Sequence, residues 1–115
     1  MPLNHVSLAV SDRPRSADFY GRYFGLTRRL HDDEHLLILS DDAGSVLALS
    51  TAAAPARLPP EHHFGFQLAD GEQVRAARER FKADGVEETD WEDDGTFVRV
   101  QVADPDGYRV ELYSF

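Results

Sequence analysis

Apolar and polar residues alternate at the start of each half of the chain, and this period of two predicts a strand in each place. The two strands cover residues 3–10 and 63–68. Their apolar sides consist of Val6, Leu8, Val10, Phe64, Phe66 and Leu68. A helical period follows each strand.

The first helix is predicted to begin near Pro14, after Ser11 or Asp12 as its cap, and to end at Gly25. The second is predicted over about residues 72–84, with Gly85 at its end. A capping box of Asp70 and Gln73 precedes it.

Strand patterns then return in both halves. In the first they cover residues 27–30, 36–39 and 46–50, and in the second 97–102 and 108–115. The acidic run over 87–94 is predicted to be a solvated loop or a sheet edge. Tight turns are predicted at Asp41–Gly44 and Asp104–Gly107.

The two halves are copies of one β-α-β-β-β unit. Residues 41–51 align with 104–114 at an offset of 63, and residues 4–10 align with 62–68 at an offset of 58. The units cover about 3–54 and 61–115, and a proline-rich linker at about 52–60 joins them into one domain. The alignment pairs His5 with His63, and Glu111 with Ala48.

Composition narrows the function. A chain of 115 residues with 42% hydrophobic content is one ordinary globular domain. No cysteine is present, so disulfides and thiol nucleophiles are excluded. The formal charge of −9 argues against nucleic acid and membrane partners, and favours a cationic ligand. With no signal peptide or apolar span, we expect a cytoplasmic protein.

Strand parity places a polar set on the sheet face opposite the aliphatic residues, which we expect to pack on the helices. This cupped face is predicted to carry His5, Ser7, His63, Gly65, Gln67, Phe97, Arg99, Gln101, Glu111 and Tyr113. Two imidazoles and one carboxylate from three strands predict a divalent metal site with open coordination positions. Fe, Mn, Zn, Ni and Co all suit these ligands.

The sequence resembles the vicinal oxygen chelate superfamily, which includes glyoxalase I, extradiol dioxygenases, and fosfomycin- and bleomycin-resistance proteins. The matching segments are Asn4–Val10, Phe19–Leu26, His63–Phe66 and Asp104–Leu112. The resemblance implies an α+β fold of two βαβββ modules that form a cupped mixed sheet, with helices on the outer face. It also implies metal ligands at His5, His63 and Glu111, and a homodimer.

Further site residues follow from the same face. Arg99, Gln101, Gln67 and Ser7 are predicted to contact a small-molecule substrate, and Phe97 and Trp91 to line its pocket. Glu111 and Tyr113 are predicted to be catalytic, with Tyr113 or a metal-bound water moving a proton. His62 is the alternative to His63 as a metal ligand, but the alternation of the strand places His62 on the same face as Phe64. His31 and His35 are predicted to be solvated.

For three known activities of the superfamily, this chain lacks residues that the activity uses. The glyoxalase I type needs a carboxylate where this chain has Ala48, and the extradiol type needs a His and a Tyr that residues 97–103 do not supply. The fosfomycin type binds a phosphonate through several cations, and only Arg99 and Arg109 are near. Two classes remain: a metal-dependent enzyme acting on vicinal oxygens, and a non-catalytic protein that sequesters an antibiotic or other small molecule.

Overall fold

The computed structural model describes all residues, 1–115, and divides into two compact units, Met1–Ala56 and Arg57–Phe115. The first contains β1 (His5–Val10), α1 (Arg13–Phe24), β2 (Arg28–Asp32), β3 (Leu36–Ser40) and β4 (Val46–Thr51). The second contains β5 (His63–Gln67), α2 (Gly71–Ala83), β6 (Glu88–Asp93), β7 (Val98–Ala103) and β8 (Arg109–Ser114). The predicted α+β class and the β-α-β-β-β order are therefore confirmed in both halves.

Each unit has its own mixed sheet of four strands, in the orders β1-β4-β3-β2 and β5-β8-β7-β6. The first strand of each unit pairs in parallel with the last, and the other pairs are antiparallel. The last strand therefore lies in the middle of its sheet, where both edges of its backbone are hydrogen-bonded. This arrangement buries β8, the strand that carries Glu111.

Helix α1 begins and ends as its sequence predicts. The Asp12 carboxylate accepts the backbone N–H of Arg15 at 3.0 Å, and Gly25 ends the helix at a φ of 72°. The helix packs on β4 and buries the aromatic rings of Phe19, Tyr20 and Phe24.

Helix α2 packs on β7 and β8 and buries Val74 and Phe81. The Asp70 carboxylate accepts the backbone N–H of Gln73 at 3.0 Å, as the capping box predicts. The Gln73 side chain instead accepts the N–H of Ala69 at 3.3 Å, one residue earlier than a capping box requires. Neither helix of the chain has the length and apolarity that crossing a membrane would demand.

The acidic run after α2 is a strand, so of the two alternatives predicted for residues 87–94 the solvated loop is wrong and the sheet edge is confirmed. It forms β6, which is the sheet edge beside β7. The pairing of β6 with β7 shifts register between Glu88 and Asp90. Strand β2 also differs from its prediction, since it covers Arg28–Asp32 and has an equivalent shift after Arg29. Such bulges interrupt the alternation by which strands are found in a sequence.

The repeat is visible in the chemistry of the turns. Asp41 Oδ1 accepts the backbone N–H groups two and four residues later, at 2.9 and 2.8 Å, and Asp104 Oδ1 does the same at 2.9 and 3.0 Å. The glycine inside each turn has positive φ, 92° at Gly44 and 90° at Gly107. The two predicted turns therefore share one hydrogen-bonded structure.

A second pair of equivalent turns joins β2 to β3 and β6 to β7. Asp33 Oδ1 accepts two backbone N–H groups at 2.8 Å, and Asp94 Oδ1 accepts two at 2.9 and 2.7 Å. The pKa of Asp33 is lowered to about 2, and the largest cause is the hydrogen bond from the N–H of His35. The pKa of Asp94 is also lowered, and the largest cause is the hydrogen bond from the N–H of Phe97.

The burial of Asp104 generates a prediction. Its carboxylate is only 5% exposed, so Asp104→Ala would leave two N–H groups without their acceptor, one of them in a buried bond. We expect a loss of about 1–3 kcal/mol in the free energy of unfolding, measured by urea denaturation. The matched variant Asp41→Ala removes the same turn bonds nearer to solvent, and we expect a smaller loss. Equal losses would contradict the role of burial.

Candidate functional site

One row of side chains crosses the sheet of the second unit on the face opposite Val110 and Leu112. Gly65 of β5 lies opposite Glu111 of β8, and Glu111 lies opposite Gln101 of β7. Glu111 is only 9% exposed and Gln101 only 4%. A buried carboxylate is costly without partners, and its partners therefore define the site.

Gly65 makes room for the Glu111 side chain. A Cβ atom at position 65 would lie 2.5 Å from Cγ and 3.1 Å from the backbone oxygen of Glu111. Carbon atoms do not approach so closely, so any other residue at position 65 would displace the carboxylate. The glycine is thus explained by a close approach.

His63 presents its Nε2 atom to Glu111. Its Nδ1 lies 2.9 Å from the backbone oxygen of Glu61, and its Nε2 lies 3.6 Å from Glu111 Oε2. A carbonyl oxygen only accepts, so Nδ1 carries a hydrogen, and in the neutral form of the ring the lone pair is then on Nε2. In that form a nitrogen and a carboxylate oxygen face each other, and both are atoms that can bind one cation.

Arg99 joins the same carboxylate to the edge strand. Its Nη1 lies 3.3 Å from Glu111 Oε2, its Nε lies 3.2 Å from Glu92 Oε2, and its Nη2 bonds Asp90. Burial acts to lower the pKa of Arg99, but the bonds to Glu92 and Glu111 and the charge of Asp90 outweigh burial and raise it. Arg99 is therefore a permanent cation within the site.

Asp90 and Glu92 were missed by the sequence reasoning. Neither the predicted loop nor the predicted sheet edge gives them a role in the site, whereas they lie on the Arg99 face of β6, opposite Gln101 and Arg99 respectively. The residue at the register shift, Thr89, donates its hydroxyl to Gln101 Oε1 at 3.0 Å. The sequence signal was the spacing of the two carboxylates by two residues, which is the period of a strand.

The structure places Trp91 away from this group. Trp91 lies opposite Val100 in the sheet, and the Arg78 guanidinium of α2 lies 4.1 Å from its ring centroid. The predicted pocket-lining residue therefore packs against the helix. Arg78 also pairs with Glu88 through two bonds of 2.6 and 3.2 Å, the first cause of the lowered pKa of Glu88.

An aromatic cluster adjoins Arg99 on the site face. Tyr113 lies opposite both Arg99 and Gln67, and its ring stacks on Phe115 with centroids 5.9 Å apart and planes inclined by 11°. Phe97 contacts Phe115 at 6.2 Å. Phe115 is 75% exposed, so the cluster offers an apolar surface to a ligand.

The remaining predicted residues lie in the first unit or outside the group. His5 and Ser7 lie in β1, opposite Val46 and Ala48, and His5 is exposed. His62 precedes β5 and is exposed. His31 bonds Asp33 at 2.8 Å on the surface. The side chains that the structure brings together are thus His63, Arg99, Gln101 and Glu111, and within either unit no three His, Cys, Asp or Glu side chains form a group that could hold a metal ion.

The contact between Gly65 and Glu111 predicts a specific loss of stability. Gly65→Ala forces the buried Glu111 side chain or the backbone to move, and we expect unfolding to become easier by about 1–3 kcal/mol. Urea denaturation measures the change. The control is Gly21→Ala in α1, where the nearest atom would lie 3.6 Å from the new Cβ, so the helix should gain stability. If Gly65→Ala is neutral, the close approach does not constrain position 65.

Comparison with known proteins gives relatives over nearly the whole chain. The glutathione transferase FosA of Serratia marcescens is 29% identical over 116 residues, which cover 96% of this chain and 79% of the relative. The crystal structure of the fosfomycin resistance protein FosX of Listeria monocytogenes has a TM-score of 0.82 at 23% identity, and covers 100% of this chain and 93% of FosX. A possible glyoxalase of Bacillus cereus has a TM-score of 0.82 at 26% identity, with 97% of each chain covered.

The sequence pattern of one family matches residues 2–112, almost the full length. These residues include nearly all of both units, with His63 and Glu111, and end one residue before Tyr113. The chain belongs to the Glyoxalase/Bleomycin resistance protein/Dioxygenase superfamily.

Proposed function

We propose that the protein is a divalent-metal-dependent enzyme of this superfamily, acting on a small substrate with adjacent oxygen atoms. His63 and Glu111 are two of the metal ligands. The observation that carries the proposal is the 3.6 Å separation of His63 Nε2 from Glu111 Oε2, with His63 Nδ1 bonded to the Glu61 carbonyl.

The donor set fits a divalent ion. Ligands about 2.1 Å from an ion are about 3.0–3.5 Å apart at the angles of octahedral and tetrahedral sites, close to the observed separation. The bond from His63 Nδ1 to the Glu61 carbonyl is the orienting contact that metal-bound histidines usually make. Fe, Mn, Zn, Ni and Co accept imidazole and carboxylate ligands, so the metal is proposed only as a class.

His5 is proposed as the third ligand. It holds in β1 the position that His63 holds in β5, since each begins the strand that pairs in parallel with the last strand of its unit. The first unit has Ala48 where the second has Glu111, so it supplies an imidazole and no carboxylate.

A metal bound at this site would supply Lewis acidity that polarises substrate oxygens. The residues of the chain position and bind the substrate. Gln101, whose amide oxygen is held by Thr89, and Arg99 lie beside the carboxylate, and Tyr113 extends the face toward Gln67. We propose that Tyr113 moves the proton, since it lies two residues from Glu111 on the same face of β8.

The names of the relatives support a metal. FosX of Listeria monocytogenes was solved complexed with Mn(II) and sulfate ion, and a variant of it with Mn(II) and 1S,2S-dihydroxypropylphosphonic acid. Both have the fold of this chain, at TM-scores of 0.81 and 0.82. We therefore take Mn²⁺ as the first metal to test.

A second function, sequestration of a cationic aromatic molecule, has one observation in its favour. Tyr113, whose ring stacks on Phe115, lies opposite Arg99 in the sheet, and Arg99 bonds the carboxylates of Asp90 and Glu92. Aromatic faces and carboxylates together attract such cations. Arg99 already neutralises part of this charge, which makes the metal-dependent function the better supported one.

Metal binding to the full chain tests the proposal. We expect isothermal titration with Mn²⁺ to show one site per chain, and His5→Ala, His63→Ala and Glu111→Gln each to weaken binding at least about tenfold, because each removes a ligand. His62→Ala is the matched control: it removes a neighbouring imidazole outside the site and should bind as the wild type does.

The outcomes separate the two functions. Loss of binding in the three ligand variants but not in His62→Ala supports the enzyme. A wild-type protein that binds no divalent metal, yet binds bleomycin, would replace it with the sequestration function. Loss in His63→Ala and Glu111→Gln alone would exclude His5 from the ligand set.

We also propose a homodimer, as the family resemblance implies. Analytical ultracentrifugation should give twice the chain mass of 12.9 kDa. A species with the mass of a single chain at micromolar concentration would contradict the proposal.

A further inference from the structure

Arg99 and His63 reach the same oxygen of Glu111. Oε2 lies 3.3 Å from Arg99 Nη1 and 3.6 Å from His63 Nε2. A metal ion between His63 and Glu111 would bind that oxygen, where a positive guanidinium already lies. The Arg99 guanidinium and a divalent metal ion would therefore bind the same atom, Glu111 Oε2.

We propose that Arg99 competes with the divalent metal for Glu111 Oε2, and thereby sets the metal affinity of the site. The inference rests on the proposed metal site and assigns Arg99 as a positioning residue. Without metal, Arg99 stabilises the buried carboxylate. With metal, the bond from Arg99 to Oε2 lengthens or breaks, and its free energy is subtracted from that of binding.

Two carboxylates of the edge strand β6 would hold Arg99 in the site after it releases Glu111. Glu92 Oε2 lies 3.2 Å from Nε, and Asp90 bonds Nη2, so two of the three guanidinium nitrogens stay bonded when Nη1 releases Glu111. Arg99 thus need not leave the site. Its side chain is 22% exposed, so the interaction is screened less than a surface ion pair.

The balance of charges around Arg99 also predicts that removal of Arg99 raises the affinity of the site for a divalent cation. The three carboxylates around Arg99 carry three negative charges against its one positive charge. Removal of Arg99 would leave the local field more negative and free Oε2, and both effects favour a divalent cation. If Arg99 instead mainly held Glu111 in position, its removal would weaken binding, so the direction of the change decides.

The test compares Mn²⁺ affinities of full-length variants by isothermal titration. We expect Arg99→Gln to bind Mn²⁺ about tenfold more tightly than the wild type, because the metal no longer displaces a hydrogen bond between charged groups, which solvent screens only in part. The control is Arg78→Gln. It removes the same charge from α2, where the arginine pairs with Glu88, and should change affinity less than about twofold.

The possible results distinguish this inference from the metal site itself. Tighter binding by Arg99→Gln but not by Arg78→Gln supports both. Unchanged or weaker binding by Arg99→Gln, with a wild type that binds, overturns the competition and leaves the metal site standing. Absence of binding by the wild type and all variants overturns both. If Arg99→Gln does not fold by circular dichroism, Arg99→Lys takes its place, since its donors all lie on one nitrogen and reach separate carboxylates less well than the three nitrogens of the guanidinium do. Tighter binding is again expected.

Discussion

The buried carboxylate of Glu111 is the constraint on which the second unit depends. Charge removed from water must be compensated by close partners, and here Arg99 provides the positive charge while Gly65 leaves the space. Arg99 is in turn held by the two carboxylates of the edge strand. Glu111 on a central strand thus accounts for residues on the other three strands. These are Gly65 on β5, Arg99 on β7, and Asp90 and Glu92 on β6.

The acidic edge strand β6 serves both faces of its sheet. Asp90 and Glu92 hold Arg99 on the site face, while Glu88 and Asp93 hold arginines of α2 on the other. The register shift between Glu88 and Asp90 makes this division possible, because it changes the face to which successive even-numbered residues belong. An exposed edge strand is also protected from unwanted pairing by such charges.

Much of the fold could be predicted because the turns and caps carry their own chemistry. Asp12, Asp70, Asp41 and Asp104 each accept the backbone bonds that their positions in the sequence indicate. Strand β6 was predicted only as one of two alternatives, since its bulge breaks the alternation and its charges are typical of a loop. The face of Trp91 and the partners of Arg99 depend on that strand, and they were beyond the sequence for the same reason.

The two units differ at one equivalent position in a way that limits how they could have diverged. In the first, Ser7 lies opposite Ala48, and in the second, Gly65 lies opposite Glu111. A glutamate introduced at position 48 would meet the Cβ of Ser7, whereas a glycine at position 7 first would clear its way. Substitutions that convert one kind of unit into the other therefore have a preferred order. The glycine is introduced before the glutamate when the acidic centre is gained, and it is replaced after the glutamate when the centre is lost.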